Sequence, residues 1–275
     1  MSEIEYLYRY TSIESLALML KSKTMRLNPL DKMDDLQEQK TSDVENLGKF
    51  VFISSWTEDD TESIPMWRMY TNPQSGVRIK MRKNPFVWHG TAAKDIIETL
   101  RMPAGEESIS TEKINTFLDF SKLMANGYFS PQAWGGEILE QVTYTDDIER
   151  LEPSVAHASK DGIRIEVGKM GKCKSSYWAF QKEWRYIMTF LPLDFKCGVE
   201  TMAEKFTSTV NNLMNGIESP PFRFYNLDIA PESFKEMEIT LSPQMTDGNR
   251  ILLEALVEKY NSSAIIRESE LLGKI

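Results

Sequence analysis

The chain is poor in cysteine and histidine and has no glycine-rich phosphate loop. Cys173 and Cys197 are its only cysteines, and no Cys-x-x-Cys pair occurs. That argues against a zinc site and points to a reducing cytoplasm, where disulfides do not hold folds together. His89 and His157 are the only histidines, which excludes a His-rich metal cluster, and both read as surface or loop residues. There is no Gly-x-Gly-x-x-Gly and no P-loop, so nucleotide sites of those types have no support. No apolar run approaches the roughly 20 residues that span a bilayer, so no membrane partner is expected. Met1-Ser2-Glu3-Ile4-Glu5 is acidic and polar, with no basic stretch leading into an apolar one, so no signal peptide is expected. No repeat and no low-complexity tract is evident.

What is present is ample core material. Of 275 residues, 41% are hydrophobic, enough for one large domain over 1–275 without staples. The formal net charge of -9 makes the surface as a whole a poor generic phosphate binder. It suits a basic protein partner, and a local basic patch for nucleic acid can coexist with it.

Strands and helices mix without a βαβ rhythm. The pattern predicts an α+β fold, with mixed, mostly antiparallel sheets and flanking helices. Tyr6 to Tyr10 reads as a strand, and Thr11 or Ser12 as the cap of a helix carrying Leu16, Met19 and Leu20 at helical spacing. Short strands are predicted at 23–27, 50–56 and 76–81, where Val77 and Ile79 alternate with Arg78 and Lys80. A short helix is expected from Ser63 to Tyr70, with Pro65 in its first turn. Residues 84–136 read as a helical insertion, broken at Pro103-Ala104-Gly105 and Gly135-Gly136. Glu140 to Tyr144 returns to strand, and Ile163 to Val167 reads as a strand or a helix end. Further strands are expected at 183–190, 222–227, 237–241 and 264–267, with a helix from Gly248 to Tyr260.

The most telling stretch is Phe180-Gln181-Lys182-Glu183-Trp184-Arg185-Tyr186-Ile187. Read as the start of a strand, it points Gln181 and Glu183 the same way, because strand side chains alternate. A carboxylate beside a carboxamide can bind a ribose and stabilise a developing positive charge. Two earlier segments join it: Arg9 in Tyr8-Arg9-Tyr10-Thr11, and Ser54-Ser55 in Phe52-Ile53-Ser54-Ser55-Trp56.

Together these segments resemble the arginine–serine–glutamate pattern of ADP-ribosyltransferases. The resemblance implies NAD as substrate and an ADP-ribosyltransferase-like core. It implies that Arg9 contacts the NAD phosphates and that Ser54 and Ser55 brace the nicotinamide pocket. Glu183 would hydrogen-bond the nicotinamide ribose, and Gln181 would engage the acceptor. An Arg fork fits a pyrophosphate. An ionised Glu183 is favoured more by an oxocarbenium-like state than by the ground state. Tyr8, Tyr10, Trp56, Trp67 and Tyr70 supply faces for stacking on nicotinamide or adenine. Similar bacterial proteins are often toxins of toxin–antitoxin or phage-defence systems, which implies an antitoxin partner and an RNA, DNA or protein acceptor. Replacing Glu183 with Ala or Gln is expected to abolish modification and leave the fold intact.

A second resemblance covers most of the chain. Leu7-Tyr8-Arg9-Tyr10, Met25-Arg26-Leu27-Asn28-Pro29, Met66-Trp67-Arg68-Met69-Tyr70, Gly76-Val77-Arg78-Ile79 and Glu183-Trp184-Arg185 are similar to the bacterial domain-of-unknown-function family 2971. That family carries an Asn-Asp-Pro-Phe-Glu box, where this chain has Lys32-Met33-Asp34-Asp35-Leu36-Gln37-Glu38, without the proline.

The same residues have plain structural readings. Arg9 fits a salt bridge, Ser54 and Ser55 fit strand-end backbone groups, and Glu183 fits a pairing with Arg185 or Lys182. Asp34, Asp35 and Glu38 read as a solvated helix start, or as oxygen ligands for a divalent cation. Two other functions compete with the transferase: a non-enzymatic module binding a basic partner, and a metal-dependent nuclease built on the acidic segment.

Overall fold

The computed structural model describes residues 5–92, 113–119, 128–134, 137–159, 162–192, 208–215, 219–220 and 222–275. Among them is a mixed α/β architecture built on a mostly antiparallel, open nine-stranded sheet. Its strands are β1 (Tyr6–Ser12), β2 (Thr24–Pro29), β3 (Val51–Thr57), β4 (Gly76–Arg82), β5 (Leu139–Gln141), β6 (Glu183–Thr189), β7 (Tyr225–Asp228), β8 (Glu238–Leu241) and β9 (Ile265–Arg267). The main path runs β7-β2-β3-β1-β4-β8-β9, and β6 also pairs with β3 and carries β5. Only the β8–β9 pair is parallel within this sheet.

The sheet forks at β3, and the fork follows from the registers. β6 covers one edge of β3 from Val51 to Thr57. The other edge is shared. β2 pairs at Phe52 and Ile53, and β1 pairs only through Tyr8 opposite Thr57. Ser54, Ser55 and Trp56 lie between, with no ladder partner on that side. β1 instead pairs along its whole length with β4, from Tyr6 opposite Arg82 to Ser12 opposite Gly76.

Local chemistry explains the connection that spreads the fork. Helix α1 (Ile13–Ser22) joins β1 to β2 and starts at Ser12, whose side chain accepts from the Ser15 N–H. Leu16, Met19 and Leu20 bury its inner face, and the helix ends where Lys23 turns into the left-handed region at φ 55. Helix α2 (Ile64–Tyr70) is capped by Ser63 and has Pro in its first turn. The Tyr10 hydroxyl accepts from the Ser63 N–H at 2.9 Å, and the Tyr10 ring meets Trp67 edge-on at 4.9 Å. These contacts hold α2 over the open side of β1. Helix α3 (Asp247–Tyr260) packs Leu253 and Val257 inward. Among the described residues, no helix is long and apolar enough to cross a membrane.

One face of the sheet carries Leu7, Val77, Ile79, Met81, Ile239 and Leu241, all nearly inaccessible, and Val51, Ile53 and Ile187 bury part of the opposite face. Alternation puts Tyr8, Tyr10, Ser55, Thr57, Glu183 and Arg185 on the other face. The predicted 84–136 insertion lies largely outside the described residues. Its described parts include a two-stranded ladder, His89–Ala92 against Lys113–Thr116. The segment 163–167 resolves as a strand, Gly162–Ile165, followed by a short 3-10 turn.

Candidate functional site

A cavity of about 170 Å³ opens at the fork. β1 contributes Tyr8, Arg9 and Tyr10, and β3 contributes Ile53, Ser55 and Trp56. β6 contributes Glu183 and Arg185, and β2 contributes Asn28. Met66 and Tyr70, four apart on α2, face in together, while Trp67 turns into the core. Met33, Asp34, Lys174 and Gln181 complete the lining.

Arg9 and Glu183 start on opposite faces by register. The fork admits both to one cavity, because β1 leaves β3 just beyond Tyr8. The Arg9 Nη1 donates to Ser54 Oγ at 2.8 Å, and the same oxygen accepts from Trp56 Nε1 at 3.0 Å. Ser54 therefore does not line the cavity; it braces the guanidinium and the indole that do. Among the described residues Arg9 has no carboxylate partner. Burial, then the nearby Arg26 guanidinium, lowers its pKa to about 10, so it stays charged at neutral pH.

Glu183 has the opposite surroundings. It is 4% exposed and belongs to a buried cluster of two carboxylates and two cations. Arg185 Nε donates to its Oε1 at 2.6 Å and Arg185 Nη2 to its Oε2 at 3.1 Å. The Lys174 Nζ lies 3.4 Å from Oε2. Glu38 closes the ring, with Lys174 at 3.0 Å and Arg185 Nη2 at 2.9 Å from its Oε1. Arg185 Nη1 donates to the Gly171 carbonyl at 3.0 Å, and Gly171 holds that carbonyl in place at φ 76. Burial alone would raise the Glu183 pKa. The charges of Arg185 and Lys174, with hydrogen bonds from Arg185 and Ser55, outweigh it and hold the carboxyl below its ordinary range.

Gln181 reaches the cavity by a route different from the expected one. β6 begins at Glu183; Gln181 ends the 3-10 segment Ser176–Gln181, and Lys182 between them turns left-handed at φ 44. Strand alternation therefore does not align the pair, because the helical turn and the left-handed residue break the period. The Gln181 amide is nonetheless buried beside Tyr70. The Tyr70 hydroxyl lies 3.1 Å from Asp34 Oδ2, and a carboxylate only accepts, so the phenol donates there. Gln181 must then present its N–H to Tyr70, which leaves Gln181 Oε1 buried with no partner among the described residues. Burial, followed by the Asp34 carboxylate, pushes the Tyr70 phenol far above its usual value and keeps it neutral.

The acidic segment is corrected too. Residues 31–50 form turns and short 3-10 pieces, and Glu38 is 5% exposed and ion-paired, not a solvated helix start. Of the two pairings expected for Glu183, the one with Arg185 forms, while Lys182 pairs with Asp59; Glu38 and Lys174 were not flagged as members of the same cluster. Strand alternation, which puts Arg185 at i+2 on the same face, signals the Arg185 pair but not Glu38 or Lys174. Among the described residues, no three His, Cys, Asp or Glu side chains are grouped so as to hold a metal ion. Replacing Tyr70 with Phe is expected to strand the buried Gln181 amide and destabilise the fold by about 1–2 kcal/mol in denaturant melts.

No family model, curated protein or solved structure matches the chain.

Proposed function

We propose that the chain transfers ADP-ribose from NAD to a macromolecular acceptor, RNA, DNA or protein, on an ADP-ribosyltransferase-like core. The observation that carries the reading is a guanidinium with no carboxylate partner among the described residues, beside an ionised buried carboxylate, at one aromatic-lined cavity. A half-buried guanidinium with no carboxylate partner among the described residues favours an anion, and a phosphate suits it with a bidentate fit. Trp56, Tyr8 and Tyr70 offer ring faces or edges to nicotinamide. Gln181 Oε1 offers an acceptor to a ribose hydroxyl or carboxamide, since leaving it bare costs about 1–3 kcal/mol.

In the proposed reaction the C1′–N bond to nicotinamide breaks. Nicotinamide leaves with the bonding pair as a neutral molecule, and positive charge develops at C1′. Glu183, held ionised and fixed in orientation by Arg185, lowers the energy of that charge. The acceptor then attacks C1′ and gives up its proton to solvent or to Asp34 at the cavity wall. By the same resemblances we assign the chain to family 2971, as a toxin of a toxin–antitoxin or phage-defence system with a neutralising protein partner.

The test incubates purified protein with NAD labelled in its adenylate half, with and without lysate. Nicotinamide release and label on a macromolecule are expected. Replacing Arg9 with Gln should lower kcat/KM roughly 10–100-fold, the worth of a hydrogen bond to a charged group. A non-enzymatic module is the competing reading, favoured by the charge of -9 and by Tyr177, 88% exposed. Such a module releases no nicotinamide under any of these conditions, and that result would remove the transferase.

A further inference from the structure

Arg9 borders two cavities. Behind it, between α1 and β2, lies a second one of about 140 Å³, which shares only Arg9 and Asn28 with the first. Thr24, Arg26 and Asn28 reach it from alternate positions of β2, while Met25 and Leu27 between them are fully buried in the core. Ser15 borders it from α1 and Asn226 from β7. The lining has no aromatic residue and is rich in hydroxyls and amides.

Arg26 is a second cation without a carboxylate partner among the described residues. Its guanidinium stacks on the Phe224 ring at 3.7 Å, which fixes its plane. Arg9, which borders both cavities, and Arg26, which borders only the second, repel each other. Neither has a counter-charge from the described protein. A ligand that neutralises both carries at least two negative charges, one beside Arg9 where the cavities meet and one toward Arg26 in the second.

We propose that Arg26 and Arg9 together grip the diphosphate of a dinucleotide, with the adenosine half in the second cavity and the reacting ribose in the first. This rests on the NAD reading above and adds to it a ligand half and a residue, Arg26, that the transferase pattern leaves out. The polar lining suits ribose hydroxyls, and Asn28 and Asn226 offer both donors and acceptors.

Binding is the readout, so that the test does not depend on turnover. Calorimetric titration with ADP and with nicotinamide mononucleotide compares wild type with Arg26→Met, which keeps a long stem over Phe224. ADP affinity should fall at least tenfold, and nicotinamide mononucleotide affinity less than twofold. Ser15→Trp, at an exposed helix position, fills the second cavity from outside and should produce the same split. Equal losses for both ligands, no loss for either, or no ADP binding by wild type would overturn the proposal. If the split appears while wild type releases no nicotinamide from NAD, the subsite stands and the transferase reading falls. If nicotinamide is released but both variants bind ADP normally, the subsite falls and the transferase stands.

Discussion

Glu183→Gln is expected to slow nicotinamide release from NAD by about 100–1,000-fold, the usual effect of removing one preorganised electrostatic group. The amide keeps the shape of the side chain but loses the charge that opposes the positive C1′. The earlier expectation that such a change leaves the fold untouched does not survive the structure. Glu183 neutralises half of a buried cluster in which Arg185 and Lys174 balance Glu38 and Glu183. Its removal leaves a net positive charge inside, and a melt will register that.

A control separates the two effects. Glu38 takes part in the same cluster and does not line the cavity. Glu38→Gln therefore imposes a comparable charge imbalance without removing a group that faces the ligand. If the carboxylate of Glu183 acts on the ribose, Glu38→Gln keeps most of the rate at a temperature where both variants are folded. Matching losses in the two variants would mean that Glu183 only holds the fold, and the proposed chemistry would fail.

Parts of this arrangement were written in the sequence, and parts were not. Helix α1 was legible because Ser12, Leu16, Met19 and Leu20 combine a cap with one apolar stripe. β4 was legible because Val77 and Ile79 alternate with Arg78 and Lys80. Such signals are local, and they depend on residues a few positions apart. The fork was not legible. It depends on β3 sharing one edge between two partners, and no local pattern encodes a register between strands far apart in the chain. The buried cluster was hidden for the same reason: Arg185 and Glu38 are separated by 147 positions. Gln181 shows a different failure. The period-2 argument assumed that the strand began two residues early, and a left-handed Lys182 defeats it. Glu38 in an acidic run looked solvated because composition does not reveal which carboxylate finds a buried guanidinium.

The largest stability effect is expected at Arg185. Fully buried, it makes four of the hydrogen bonds described above and is the main counter-charge for both carboxylates. Arg185→Met fills a similar volume but leaves Glu38 and Glu183 facing each other with Lys174 alone. Breaking a buried pair in this way costs about 3–5 kcal/mol at neutral pH. The pH dependence should then reverse. In the wild type the Glu183 carboxyl binds a proton less readily when folded than when unfolded. Its contribution to stability is complete above its ordinary value of 4.5 and is lost as pH falls through the lower folded-state value. In the variant, two carboxylates share one ammonium, so one of them gains affinity for a proton on folding. The folded variant then binds more protons than the unfolded chain, and its stability rises as pH falls toward 5. Denaturant melts at pH 7 and pH 5 read this directly: the gap between variant and wild type should narrow on acidification. A gap that stays constant or widens would mean that the charges of Glu38 and Glu183 are already balanced by something other than Arg185.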